Sequence, residues 1–225
     1  MNNSHFCLLS NNLFDFSRTI AAPLLQNATY PWEVLPDIAD FICAIGSSLD
    51  PTIYAHLGDH VYVAKSATVA PSALIQGPCI VGESAEVRHC AFVRGSAIIG
   101  NGAVVGNSTE LKNCILFDEV QVPHYNYVGD SILGYKAHLG AGALTSNVKS
   151  DKSHVHVKGA DFDIDTGRKK VGAMIGDGVE VGCGAVLCPG TVIGRGSTVY
   201  PLVRVRGVIP EGSIVKSERE IVLKK

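Results

Sequence analysis

The chain has 225 residues, 46% of them apolar, with 19 basic against 21 acidic side chains and a formal net charge of -2. That composition excludes a disordered chain, and it leaves no basic field of the kind that holds nucleic acid or an anionic membrane surface. The seven cysteines (7, 43, 79, 90, 114, 183 and 188) form no CxxC pair, no apolar run is long enough to span a membrane, and the N-terminus has no basic leader. The expectation is a cytoplasmic chain whose thiols act as small core residues.

Residues 1–50 read as a small helical cap or lead-in. Ile38, Phe41, Ile42, Ile45 and Leu49 recur at helical spacing, and Pro36 suits a first helical position. A shorter helix is expected over residues 20–25 in spite of Pro23.

From Leu57 the pattern changes to a period of six: Leu57, Val63, Val69, Ile75, Val81, Val87, Val93, Ile99, Val105 and Leu111, with Phe117 one step further. A second frame runs through Ile175, Val181, Leu187, Ile193, Val199 and Val205. Small residues commonly follow the aliphatic, as at Gly82, Gly100, Gly106 and Gly182. A period of six fits neither an α-helix nor an ordinary β-sandwich. It fits a parallel β-helix in which each hexapeptide is a short strand plus a turn, with the aliphatic pointing inward. The body is therefore expected over residues 51–216, and residues 217–225 are expected to form a C-terminal tail. Between 118 and 174 the frame breaks. Residues 146–170 are rich in charge and carry no hexapeptide, so they read as a loop thrown out from the coil, a feature that is usually functional.

Arg94 and Lys112 both stand where other repeats prefer a small residue, three hexapeptides apart. In an 18-residue coil they would lie on neighbouring turns about 4.8 Å apart. Stacked cations repel unless an anion lies beside them, so the pair reads either as a phosphate site or as a solvated basic ladder with Glu110 as counter-ion.

The repeat resembles the hexapeptide-repeat acyltransferase superfamily, which implies a mainly β fold, a left-handed parallel β-helix. The segments AFVRGSA (91–97), VGNSTELKN (105–113), HYNYVGDSILG (124–134), LGAGALTSN (139–147) and DTGRKKVGAMIGDGVEVG (165–182) are similar to the C-terminal acetyltransferase domain of the bifunctional enzymes that make UDP-N-acetylglucosamine, the archaeal type in particular. The resemblance implies an acetyl-CoA-dependent N-acetyltransferase acting on a hexosamine 1-phosphate, with no nucleotidylyltransferase domain in this chain. It implies His124 as general base, Tyr127 as its partner at the sugar, Arg94 and Lys112 at the phosphate, and Asn147 at the sugar or its amine. It also implies Ala141 at the thioester; the tetrahedral intermediate needs a donor for its oxyanion, which backbone N–H groups of the Gly140–Ala141–Gly142 turn could supply. Cys183 and Pro201 would line the pantetheine groove. Arg204 and Arg206, alternating in VRVRG, face the same way if that stretch is extended and read either as contacts to the phosphates of CoA or as a solvated edge. The assembly implied is a homotrimer with active sites between subunits.

The chemistry itself calls for a base, since an amino sugar must lose a proton before it attacks a thioester, and histidine titrates in the right range. Two positions depart from the family pattern. His138, expected to contact the substrate, stands where Asn is usual, and the lysine expected after Asn147 has no clear counterpart other than Lys149 or Lys152. Rival readings are a non-catalytic or regulatory β-helix, an acyltransferase acting on a nucleotide amino sugar, and a zinc hydratase of the same fold. The last needs a His with a second His-x4-His pair, a pattern absent from the chain, so no metal is expected.

Overall fold

In the computed structural model, residues 8–224 are described. Short strands of two to seven residues wind into a parallel β-helix of about nine turns, the left-handed solenoid expected from the repeat. The register steps by 18 residues at first, pairing Val63 with Val81 and Val81 with Ile99. Two coils are then one residue shorter, so Ile99 pairs with Leu116 and Leu116 with Leu133 in steps of 17. This shortening is why the sequence frame fails after Leu111. Leu116, not Phe117, takes the inward place. Phe117 packs instead on Phe14 of the N-terminal segment, ring centroids 5.1 Å apart.

The inward columns are fully buried from Val81 to Ile193. Leu57, expected to face inward, is 67% exposed, because the chain enters by an antiparallel pair (54–56 with 62–64) before the first coil closes. Val69 and Ile75 also keep solvent contact, as they lie on the end coil with one neighbour only. Cys79, Cys114 and Cys188 are buried, whereas Cys90 and Cys183 are exposed at corners; Cys7 lies outside the described residues.

Helices α1 (Ser10–Leu13), α2 (Ala22–Leu25) and α3 (Ile38–Gly46) precede the coil. Pro23 sits at the start of α2, where its missing N–H costs nothing. The N-cap of α3 is Asp37, so Pro36 falls just outside the helix. The helices lie along a flank of the coil and not across its end, with α3 touching the strands 79–81, 97–99 and 110–116. Successive strand residues face opposite sides, yet all three of Cys79–Val81 and of Ala97–Ile99 are buried. That flank is covered by Leu35, Ile38 and Ile42 on the outside and by the prism core on the inside. No helix among the described residues is long and apolar enough to cross a membrane.

The charged segment 146–170 is not structureless. It leaves the coil after Thr145, forms a hairpin of His156–Lys158 with Asp163–Asp165, and rejoins at a bridge between Val148 and Lys170. Val155 and Val157 are buried, and the backbone around His156 passes close to Gly190, which anchors the hairpin on later coils. The coil-to-coil step across this insertion is 42 residues, from His138 to Glu180. The expected C-terminal tail also has structure: Glu220–Leu223 folds back antiparallel on Ser213–Ser217 and ends the solenoid.

Candidate active site

One corner of the solenoid repeats the same backbone contact on successive turns. Gly142 N–H donates to the His124 carbonyl (3.0 Å), Gly184 N–H to the Ala141 carbonyl (2.9 Å) and Leu202 N–H to the Cys183 carbonyl (2.9 Å). His124, Ala141, Cys183 and Pro201 therefore form a row along this corner, one residue per coil and about 4.8 Å per step. The residues that follow (Tyr125, Gly142, Gly184 and Leu202) all have φ between 52° and 70°, the left-handed turn that keeps the corner straight. Space is open beside Gly142, where an added Cβ would meet nothing within 4 Å.

The base position is held from the inside. Asn126, 2% exposed, accepts from the His124 N–H (3.1 Å) and donates to the carbonyls of Gly140 (2.8 Å) and Ala143 (2.9 Å). The turn expected to face the oxyanion is mostly committed. Gly140 N–H bonds Val181 O and Gly142 N–H bonds His124 O, which leaves the Ala141 N–H of this turn without a partner among the described residues. The His124 imidazole is exposed and has no side-chain partner among the described residues.

Around the corner, the strand Tyr127–Leu133 runs beside Glu110–Leu116, with Tyr127 opposite Glu110. Four of the residues expected at the acceptor meet here in one polar cluster organised by two carboxylates. Asp130, 4% exposed, accepts from Asn113 (2.9 Å) and Asn147 (2.5 Å) and pairs with Lys112 (3.5 Å). Asn147 also donates to the Tyr127 hydroxyl at 3.3 Å. Arg94 pairs with Glu110 at 2.7 Å, and this bond holds its guanidinium pKa above the usual value. Burial pushes the Tyr127 phenol up, opposed by the Asn147 contact. Val93 lies opposite Leu111, so Arg94 and Lys112 do fall on neighbouring coils as their spacing suggested. Each already has a carboxylate partner, which is the counter-ion arrangement and not a bare cation pair.

Other expected site residues lie elsewhere. His138 stands three residues before Ala141, on the far end of its strand, bonded through Nδ1 to Glu180 at 2.7 Å in a separate recess with Gln121 and Lys136. Arg204 lies in the same row as Tyr127, reached through Leu144 and Val186, but it is bound to Glu218 at 2.6 Å. Arg206 is exposed two residues on. Lys149 is turned into its own loop, toward Ser153, the His154 carbonyl and Asp151. The residues that sequence reasoning missed are Asn126 and Asp130, whose only signal was a polar residue inside a strand pattern. The return limb Arg168–Lys170, which lies against Asn113 and Asp130, was missed as well. Among the described residues no three His, Cys, Asp or Glu side chains gather as a metal-binding group.

Comparison with known proteins agrees with this architecture. Residues 75–167 match the family described as the GMPPB C-terminal domain, and residues 172–207 match the bacterial transferase hexapeptide family (six repeats). A bifunctional protein GlmU of Methanococcus maripaludis is 31% identical over 87% of this chain and 48% of its own length. A putative uncharacterized acetyltransferase, YaiX, of Escherichia coli K12 is 30% identical over 73% of this chain and 71% of its own. A bifunctional sugar-1-phosphate nucleotidylyltransferase/acetyltransferase of Sulfurisphaera tokodaii is 36% identical over 41% of this chain. The chain covers 23% of that relative and 28% of several others, a quarter to a half of the bifunctional proteins it matches.

Proposed function

Since the chain belongs to the hexapeptide-repeat acyltransferase family, we propose that it transfers the acetyl group of acetyl-CoA to the amine of a hexosamine 1-phosphate. The carrying observation is the meeting of two rows at one corner: His124, Ala141 and Cys183 along the edge, and Lys112, Tyr127 and Asn147 on the face beside it.

In this reading the sugar lies against Tyr127 and Asn147, with its phosphate toward Lys112 and Arg94. The His124 imidazole takes the ammonium proton. The freed amine attacks the thioester carbonyl, and the Ala141 N–H is the backbone donor that faces the developing oxyanion. Collapse of that adduct expels the CoA sulfur, which takes the remaining proton lost by the nitrogen and leaves as the thiol, and the amide forms. The pantetheine arm follows the row of small residues from Ala141 to Cys183 and Pro201. Arg204 and Arg206 stand at the end of the groove, with Arg204 leaving Glu218 when the CoA phosphates arrive. The exposed His124–Pro201 corner is open on its outer side, and in a homotrimer a neighbouring subunit closes it. The six free cysteines among the described residues suit a reducing cytoplasm.

The test is release of CoA thiol from acetyl-CoA, measured against a panel of amino sugars with and without a 1-phosphate. Turnover with a phosphorylated amino sugar is expected. A panel that is silent throughout, with a trimer confirmed by light scattering, would rule the reading out.

A further inference from the structure

The return limb of the hairpin comes back beside the acceptor cluster and leaves a cleft of about 400 Å³. Leu35 and Pro36 of the flanking helical segment line it, together with Asn113, Asp130 and the stretch Arg168–Lys170. The charges in this cleft do not balance. Asp130 is already satisfied by Lys112, Asn113 and Asn147. None of Arg168, Lys169 and Lys170 forms an ion pair with a carboxylate among the described residues. Arg94, in contrast, is bound to Glu110.

Three consecutive cations repel one another, and a free chain would swing them apart. Here the backbone that carries them is held in place. Val155 N–H donates to the Arg168 carbonyl (2.7 Å), Lys170 is bridged to Val148, and Gly167 N–H is held by Asp165 (2.8 Å). The backbone that carries one guanidinium and two ammonium groups is thus held along the wall of a cleft in which Asp130, the one carboxylate among its described lining residues, is already paired. A phosphoryl dianion, with several acceptor oxygens, would offset most of the charge of these three cations.

We propose that this cleft is an anion subsite that takes a phosphoryl group at the end of the acceptor site beyond Lys112. Its role in acceptor recognition rests on the acetyl-transfer reading; its ability to bind phosphate does not. The recognised chemistry is shared by a hexosamine 1-phosphate, which presents one phosphoryl group, and by a nucleoside diphosphate, which presents two. The apolar wall of Leu35 and Pro36 belongs to the helical segment, so that segment limits what can follow the phosphate.

Calorimetric titration of the full chain tests this with inorganic phosphate, a hexosamine 1-phosphate and a nucleoside diphosphate as probes. The combined variant Arg168→Gln, Lys169→Gln, Lys170→Gln is compared with a control that removes three other cations, Lys216→Gln, Arg219→Gln, Lys224→Gln. The first variant is expected to bind inorganic phosphate at least about tenfold more weakly, and the control to stay within about threefold of wild type. Tighter wild-type binding of the diphosphate than of the 1-phosphate, lost in the first variant, would identify a nucleotide-linked acceptor; the opposite order would identify a monophosphate. A wild type that does not bind phosphate at millimolar concentration overturns the subsite. So does a first variant that binds like wild type, or a control that loses as much. Intact phosphate binding with no thiol release would instead count against acetyl transfer alone.

Discussion

The buried Asn126 side chain donates to the Gly140 carbonyl oxygen at 2.8 Å, tying the strand that carries the candidate base to the turn of the next coil. With its second N–H on Ala143 and its oxygen accepting from His124 N–H, every polar atom of the amide is used. His124 and Ala141 therefore have one strut in common. Asn126→Ala takes the side-chain partner from the Ala143 carbonyl and the His124 N–H, while the Gly140 carbonyl keeps the Ala143 N–H, and is expected to cost about 1–3 kcal/mol in stability. Denaturant titration measures this, and kcat is expected to fall further than the KM for acetyl-CoA rises. Asn126→Asp is expected to do no better, because a carboxylate oxygen would face two carbonyl oxygens. Wild-type stability and kcat in the Ala variant would show that the corner is held by its backbone alone.

Thiol chemistry gives an independent reading of the groove. Burial pushes the Cys79 thiol up to about 12 and raises Cys114 as well, so neither forms thiolate near neutrality. Cys90 and Cys183 are exposed, and only Cys183 lies beyond Ala141 in the expected path of pantetheine. A maleimide probe is expected to label Cys90 and Cys183 and to spare Cys79 and Cys114. Saturating CoA at ten times its Kd should slow Cys183 by about tenfold and leave Cys90 unchanged. Equal protection of both, or of neither, would move the CoA path off this corner. Peptide mass mapping separates the sites.

The coil was legible because its core is a one-dimensional pattern: each inward aliphatic from Val81 to Leu111 lies one hexapeptide from the last, and each is buried. Legibility failed where the repeat length changed. One residue lost per turn put Leu116 in the place expected for Phe117, and nothing local in the sequence marks a 17-residue coil. It failed at the open end too, where Leu57 has no coil beneath it to cover it. At the site, Arg94 and Lys112 were found by spacing, but their partners Glu110 and Asp130 were not both visible. Asp130 acts on Lys112 from the next coil, so the contact is fixed by register and not by proximity in the chain. His138 looked like a site residue for the same reason in reverse, since Glu180, which binds it, is 42 residues away across the hairpin insertion.

Asp177 joins the N-terminal segment to the coil and makes stability depend on pH. Its carboxylate accepts from Asp15 N–H (2.7 Å) and Tyr135 N–H (2.8 Å) and meets Arg195 at 3.3 Å. Burial nevertheless raises its pKa above the ordinary carboxylate value, outweighing those bonds. The folded state then holds the Asp177 proton more tightly than the unfolded state does. Its contribution is fully present below the unfolded pKa and is lost as pH rises through the higher folded value. Asp177→Asn removes that titration. The Tm of wild type minus that of the variant is expected to shift in favour of wild type as pH falls from neutrality toward 4. A shift the other way would mean that Arg195 and the two N–H donors dominate.

His124 carries the most direct test of acetyl transfer. Its main chain is pinned on both sides, the N–H by Asn126 and the carbonyl by Gly142 N–H, while its exposed imidazole has no side-chain partner among the described residues. If that imidazole accepts the ammonium proton, His124→Ala lowers kcat by about 10²–10⁴-fold and leaves the KM for acetyl-CoA nearly unchanged. The pH profile alone cannot prove the assignment, since the substrate amine titrates in the same region. His124→Asn is therefore the decisive variant, as it keeps a polar side chain but cannot take the proton. It is expected to be nearly as inactive as the Ala form. If the purified Asn variant keeps more than about a tenth of wild-type kcat, His124 is not the base. His138 cannot replace it from its position against Glu180, at the far end of the strand from Ala141. Tyr127 cannot replace it either, because burial raises its phenol and keeps it protonated near neutrality. Activity retained in that variant would therefore move the proton transfer off the two imidazoles and the Tyr127 phenol.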